Sequence, residues 1–205
     1  MEPHEYLTIV EPGHAQTRVL GSRFLGSALT VASLEEIAAT LEQKKKQYHD
    51  ATHWCYAVRV GLESEATEKS SDAGEPHGTA GLPILREIRK RELSNTLVIV
   101  TRYFGGTKLG TGNLARAYGE CAGLALDAAR TELKQILKTL IVRCPHDDQG
   151  SVYAVAHRFH MAAIPNPQPD YAEFIFRMTP DLIKPMIESL MEAGNGRISV
   201  TEKPS

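Results

Sequence analysis

The chain has 205 residues, 42% of them hydrophobic and 23% charged, with 23 Lys or Arg against 25 Asp or Glu for a formal net charge of −2. That profile predicts a globular protein with room for one large or two small cores. It excludes a disordered chain and one coated in basic charge for nucleic acid. Apolar runs fall short of the roughly 18 residues of a membrane span, and Met-Glu-Pro-His-Glu-Tyr lacks the basic start of a signal peptide. A cytoplasmic location with no membrane partner is therefore expected. Three scattered cysteines, Cys55, Cys121 and Cys144, predict free buried thiols in a reducing compartment, not a disulfide framework or a zinc site.

In chain order, Glu5 to Val10, Thr17 to Leu20 and Arg23 to Val31 predict three short strands. Ser33 opens a helix carrying Leu34, Ile37, Ala38 and Leu41 at helical spacing, and Glu36 completes a capping box. His53 to Val60 alternates as a strand, whereas 61–74 is polar and aperiodic and predicts a mobile loop. Thr79 to Lys90 predicts a helix that begins near Leu82, because Pro83 fits only a first turn. Thr96 to Thr101 is a buried strand, followed by a glycine-rich turn and a helix from Thr111 to about Ala129. Near residue 130 the pattern starts over. Leu133 to Cys144 predicts one long strand, and Asp147 or Asp148 caps a helix reaching His160. Strands follow near Ile164 and Phe174, then a helix from Thr179 through Met191 stopped at Gly194-Asn-Gly, and a last strand at Arg197 to Thr201. The order β-α-β-β-α-β is the ferredoxin-like arrangement, and it predicts a C-terminal domain over 131–205 after an N-terminal domain over 1–130.

The richest stretch joins the buried strand to the helix at Thr111. Gly105, Gly106, Gly110 and Gly112 let a ligand approach the backbone, and Thr111 and Asn113 place short polar side chains beside free helix N–H groups. From Leu93 to Gly119 there is no Asp or Glu among 27 residues, and the three charged side chains, Arg102, Lys108 and Arg116, are all positive. The local field therefore favours phosphate or carboxylate. Tyr103 and Phe104 are placed either to stack on bases or to pack a core.

Other residues invite enzymatic readings. Asp72, Glu75 and His77 stand among glycines as a divalent-metal or acid–base site would, or as an exposed turn with a capping Asp. His53 and Cys55 share one face of a strand, as a base and nucleophile or as core residues. His157 and His160 lie one helical turn apart, with no third metal ligand evident. No catalytic residue, metal or cofactor is assigned.

Two long runs carry a resemblance. Ser71-Asp-Ala-Gly-Glu-Pro-His-Gly-Thr-Ala-Gly-Leu-Pro-Ile-Leu and Val100-Thr-Arg-Tyr-Phe-Gly-Gly-Thr-Lys-Leu-Gly-Thr-Gly-Asn-Leu-Ala-Arg-Ala-Tyr, with His53-Trp-Cys-Tyr-Ala before them, resemble the bacterial two-domain form of the IMPACT/YigZ family. The resemblance implies an α+β protein: a ribosomal protein S5 domain 2-like N-terminal domain and a ferredoxin-like C-terminal domain similar to the last domain of elongation factor G. It also implies a part in translational regulation and no established enzyme activity. Where the family commonly has a second acid this chain has Ala73, where it has glycine this chain has Asn113, and His77 stands where a small residue is usual.

These readings converge on a non-enzymatic protein that binds RNA or the ribosome. Arg102, Tyr103, Gly105, Gly106, Lys108, Gly110, Thr111, Gly112, Asn113 and Arg116 would hold phosphates, and Asp72, Glu75, His77, Gly78 and Thr79 would line the same pocket. The alternatives are an enzyme or sensor for a phosphorylated small molecule or nucleotide, and a regulator that docks a protein partner. The sequence leaves oligomeric state open.

Overall fold

The structure, a computed structural model, describes residues 4–62 and 66–203. It is a mixed α/β chain in two compact units, Tyr6–Lys134 and Gln135 onward, the second taking in His4 and Glu5.

In the first unit, β1 (Glu5–Glu11) is followed by β2 (Gly13–Val19), β3 (Ser22–Thr30), α1 (Leu34–Gln47), β4 (His53–Val60), β5 (Thr67–Ser71), α2 (Gly81–Lys90), β6 (Thr96–Tyr103), α3 (Thr111–Asp127) and β7 (Arg130–Gln135). Five strands form one antiparallel sheet in the order β2-β3-β6-β4-β5, and β1 pairs with β7 as a separate ribbon. The central strand, β6, is buried along its length except at Tyr103, which explains its unbroken run of Val, Ile and Leu. Val98 and Val100 pack with Ile84, Ile88, Tyr118 and Cys121 of α2 and α3, while Leu97 and Ile99 on the other face meet Val31, Ile37 and Val58. The sheet thus carries α2 and α3 on one face and α1 on the other. The start of β4, the end of β6 and the starts of α2 and α3 fall at the same edge of this sandwich.

In the second unit, β8 (Lys138–Cys144), α4 (Gln149–Arg158), β9 (Pro165–Pro167), β10 (Ala172–Met178), α5 (Pro180–Gly194) and β11 (Ser199–Lys203) follow in that order, with a 3-10 turn at His146–Asp148. The sheet order is β11-β8-β10-β9, antiparallel throughout. Leu140, Val142, Phe174 and Phe176 meet Val152, Val155, Met186 and Leu190 of the helices in one core.

Four local expectations need correction. Within 61–74, the residues Thr67–Ser71 form β5, which pairs with β4 from Tyr56↔Ser71 to Val60↔Thr67; Glu63–Glu65 lie outside the described residues. As an edge strand β5 buries little, so it lacks the apolar alternation that betrays a strand. The stretch 133–144 is two strands, because β7 stays with β1 while β8 opens the second sheet. The capping box at α1 is shifted: Ser33 makes no side-chain cap, and Glu36 Oε2 accepts from the Ala32 N–H at 2.9 Å. Asp148 precedes α4 without capping it, and accepts instead from Arg197 Nη2 at 2.8 Å.

Candidate functional site

The turn that leads into α2 is closed upon itself by Asp72. Its Oδ1 accepts from the N–H groups of Ala80 at 2.9 Å and Gly81 at 2.8 Å, and its Oδ2 from that of Gly78 at 2.8 Å. These are donors at the start of a helix that would otherwise lack partners. Burial alone would raise the Asp72 carboxyl, but the three backbone donors together outweigh it and hold it below its ordinary value. Thr79 donates its hydroxyl to the Pro76 carbonyl at 2.6 Å. The His77 side chain is fully exposed, 3.8 Å from Asp72 Oδ2. Asp72, Gly78 and Thr79 therefore build the turn and do not line a pocket with His77.

Glu75, from the same turn, points the other way. Its carboxylate is only 4% exposed and Oε1 accepts from Arg102 Nη1 and from the Tyr118 hydroxyl, each at 2.7 Å. Arg102 also donates from Nη2 to Ser22 Oγ at 3.2 Å, and its guanidinium carbon lies 5.5 Å from the ring centres of both Phe24 and Phe104. The sequence offers Arg102 as a free cation for phosphate; the structure spends its charge on a buried carboxylate. Cys55 Sγ is 3.3 Å from the Tyr118 hydroxyl and 3.0 Å from the Asp72 carbonyl. Burial pushes the Cys55 thiol up to about 12 and the Tyr118 phenol upward as well. The Cys55 thiol is turned to Tyr118 and the Asp72 carbonyl, and the His53 Nδ1 to the Ala73 carbonyl at 2.9 Å, so the two side chains are engaged with other partners and not with each other.

The glycine loop divides into a packed part and an open part. A Cβ on Gly105 would fall 2.0 Å from the backbone of Gly21, and the Gly105 N–H already donates to Ser22 Oγ at 3.2 Å. Gly105 is required by packing and offers no donor. Gly110, at φ 77, is the N-cap of α3 and has no side chain to cap it, and among the described residues no other side chain accepts from the first-turn N–H groups. Asn113 turns its amide to the Leu109 carbonyl at 3.1 Å. The first-turn N–H groups of α3 thus face outward without a side-chain partner. Lys108 and Gly106 are exposed, and Arg116 reaches toward Asn113 at 3.4 Å on the outside of α3. Tyr103 is tied down, donating to Asp50 at 2.9 Å with Arg23 stacked 4.2 Å from its ring centre.

Both motifs open into one cavity of about 470 Å³ at the edge where they meet. Of the residues expected from sequence, it gathers Glu75, Arg102, Lys108, Gly110 and Thr111. Asp72, His77, Gly78, Thr79, Tyr103, Gly105, Gly106, Gly112, Asn113 and Arg116 stand outside its lining. The rest of the wall comes from Thr52, His53, Pro76, Phe104, Leu109 and Leu114, most of which carried no signal of their own. Leu109 and Leu114 are ordinary apolar residues until the fold puts them beside Lys108. His157 and His160 find no third ligand: the described residues contain no group of three or more His, Cys, Asp or Glu placed to hold a metal. No helix among them is long and apolar enough to cross a membrane.

An antiparallel sheet with a helix-start cavity, followed by a small α/β unit, defines the class, and sequence comparison gives the family. Residues 20–126 match the Impact N-terminal domain, and the chain belongs to the IMPACT family. The Thermus thermophilus "IMPACT family member in pol 5'region" is 36% identical over 183 residues, covering 87% of this chain and 97% of its own. The Bacillus subtilis IMPACT family member YvyE is 42% identical over 124 residues, 60% of this chain but 57% of its own length. A crystal structure of a hypothetical protein superposes with a TM-score of 0.69 over 98% of both chains at 24% identity, showing a shared two-part fold.

Proposed function

We propose that this protein binds RNA or a ribosomal element in the service of translational regulation, holding phosphate groups at the uncapped start of α3. The observation that carries the reading is the loop from Phe104 to Gly110 and the first turn of α3, in which the exposed Lys108 and the first N–H groups of α3 border one cavity, with no unpaired acid among the described residues that line it. Helix-start N–H groups and a lysine make an anion site whose affinity falls as salt rises. Arg116 flanks the site on the outer surface, while Arg102 shapes its floor through Glu75. The translational setting rests on the regulatory role that membership of the IMPACT family implies. For the fold, we take the first unit as S5 domain 2-like and the second as ferredoxin-like; the antiparallel order β11-β8-β10-β9 and the β-α-β-β-α-β sequence support the second assignment.

The test is sedimentation with ribosomes and filter binding to RNA across a salt series. Wild-type protein is expected to comigrate with one ribosomal subunit and to bind RNA with a steep loss as salt rises. The double variant Lys108→Glu, Arg116→Glu should lose that binding while melting as wild type. Protein that stays at the top of the gradient and ignores RNA at low salt would refute the reading.

A further inference from the structure

The cavity beside α3 has two chemically different ends. At the outer end stand Lys108 and the backbone of Gly110 and Thr111, a place for an anion. At the inner end stand acceptors. His53 Nδ1 lies 2.9 Å from the Ala73 carbonyl oxygen, which can only accept, so this nitrogen carries the ring proton. In the neutral ring Nε2 is then an acceptor, and it looks across 3.8 Å at Glu75 Oε1. Two acceptors at that separation do not bond to each other. A single amino group at this end can donate one hydrogen to His53 Nε2 and the other to the Glu75 carboxylate. Arg102 and Tyr118 both donate to Oε1, so the acceptor capacity that Glu75 keeps for such a donor is on Oε2.

Between the two ends the wall is apolar. Phe104 leaves nearly half its surface exposed, and Pro76 and Leu114 also line the cavity. Such a ring suits stacking on a base. One further observation points to an occupant. Gly112, in the first turn of α3, has neither positive φ nor a neighbour that a Cβ would meet. Neither backbone nor packing demands glycine there, and a helix is weakened by it. Gly112 stands at the rim, outside the cavity lining but next to Thr111, and the open space over its backbone lets a phosphate approach the start of α3. At about 470 Å³ the cavity falls within the roughly 300–1,000 Å³ of small-ligand sites.

We infer that this cavity holds a single nucleotide with an amino-bearing base: phosphate at Lys108 and the start of α3, base against Phe104, and the exocyclic amine between His53 Nε2 and Glu75. The inference rests on the RNA reading and deepens it. The unit held is either a nucleotide within or ending an RNA strand, or a free mononucleotide.

The experiment is calorimetric titration of the full chain with AMP, CMP, UMP, adenosine and inorganic phosphate, and with a short 5′-phosphorylated oligoribonucleotide. AMP or CMP should bind at least about tenfold tighter than UMP, adenosine or phosphate. Thr111→Trp fills the cavity from an exposed position without touching the buried network. It should keep the wild-type melting temperature and weaken AMP or CMP by about tenfold or more. Mononucleotides binding no tighter than phosphate, UMP binding as well as AMP and CMP, or Thr111→Trp binding as wild type would each overturn the inference. Salt-sensitive RNA binding that survives Thr111→Trp would leave the surface reading standing and remove the cavity as its site. Mononucleotide binding without any RNA or ribosome binding would do the reverse and identify the free nucleotide as the ligand.

Discussion

The turn into α2 and the loop into α3 use similar residues, glycines with a threonine ahead of a helix, and end in opposite states. At α2 one carboxylate, Asp72, takes three backbone donors, and a Cβ on Gly81 would press within 2.8 Å of the Ser71 backbone. At α3 no side chain among the described residues caps the helix, and a Cβ on Gly112 would have no heavy atom within 4 Å. The lesson is that a glycine-rich helix start marks a ligand site only when its donors are left unspent. A nearby acid can turn the same motif into a structural joint.

The sharpest way to break this contrast is at the floor that the two motifs share. Arg102→Ala should destabilise the first unit by about 3–5 kcal/mol in urea titration, because Glu75 would remain buried without its countercharge. A loss confined to RNA binding, with stability intact, would show that Arg102 is a ligand contact and not a support.

Asp72→Ala comes next, at about 2 kcal/mol, for the loss of a charged cap on α2. Its folded-state pKa lies below the ordinary carboxyl value. Its stabilisation is therefore fully present above about pH 4 and is lost as pH falls through the depressed value. The gap between wild type and Asp72→Ala, measured by denaturation from pH 7 downward, should narrow only in that acid window. RNA binding at pH 7 should be unaffected in folded protein. A gap that persists unchanged at the lowest pH would mean that the ionised cap is not the source.

The smallest effects separate the two helix starts most cleanly. Gly112→Ala should stabilise the first unit by about 0.4–1 kcal/mol and weaken RNA binding. Gly81→Ala should destabilise it, since the added methyl meets the Ser71 backbone. Thermal melts of the two variants with opposite signs would support the contrast, and equal signs would undo it. Lys108→Ala should leave stability within about 0.5 kcal/mol while reducing RNA binding, because its side chain is exposed.

Much of the fold was legible from local chemistry. The alternation of His53–Val60, the apolar run Leu97 to Val100 within 96–101 and the Pro180 helix start match β4, β6 and α5 closely, because periodicity and turn residues act over a few positions. The edge strand β5 and the break between β7 and β8 were not, since edge pairing and the partner of a strand are long-range choices.

The candidate site followed the same division. An acid-free, glycine-rich loop ahead of a helix, and a second motif with Glu75, were plain in the amino-acid order alone, as was their membership in one family pattern. Only tertiary packing decided which donors and charges remained available. It paired Arg102 with Glu75, spent Asp72 on three N–H groups, pressed Gly105 against Gly21, and set Phe104, His53 and Leu114 around Lys108. Charge and hydrogen-bonding capacity belong to residues, but whether they are free for a ligand is settled by neighbours far away in the chain, through burial and pairing.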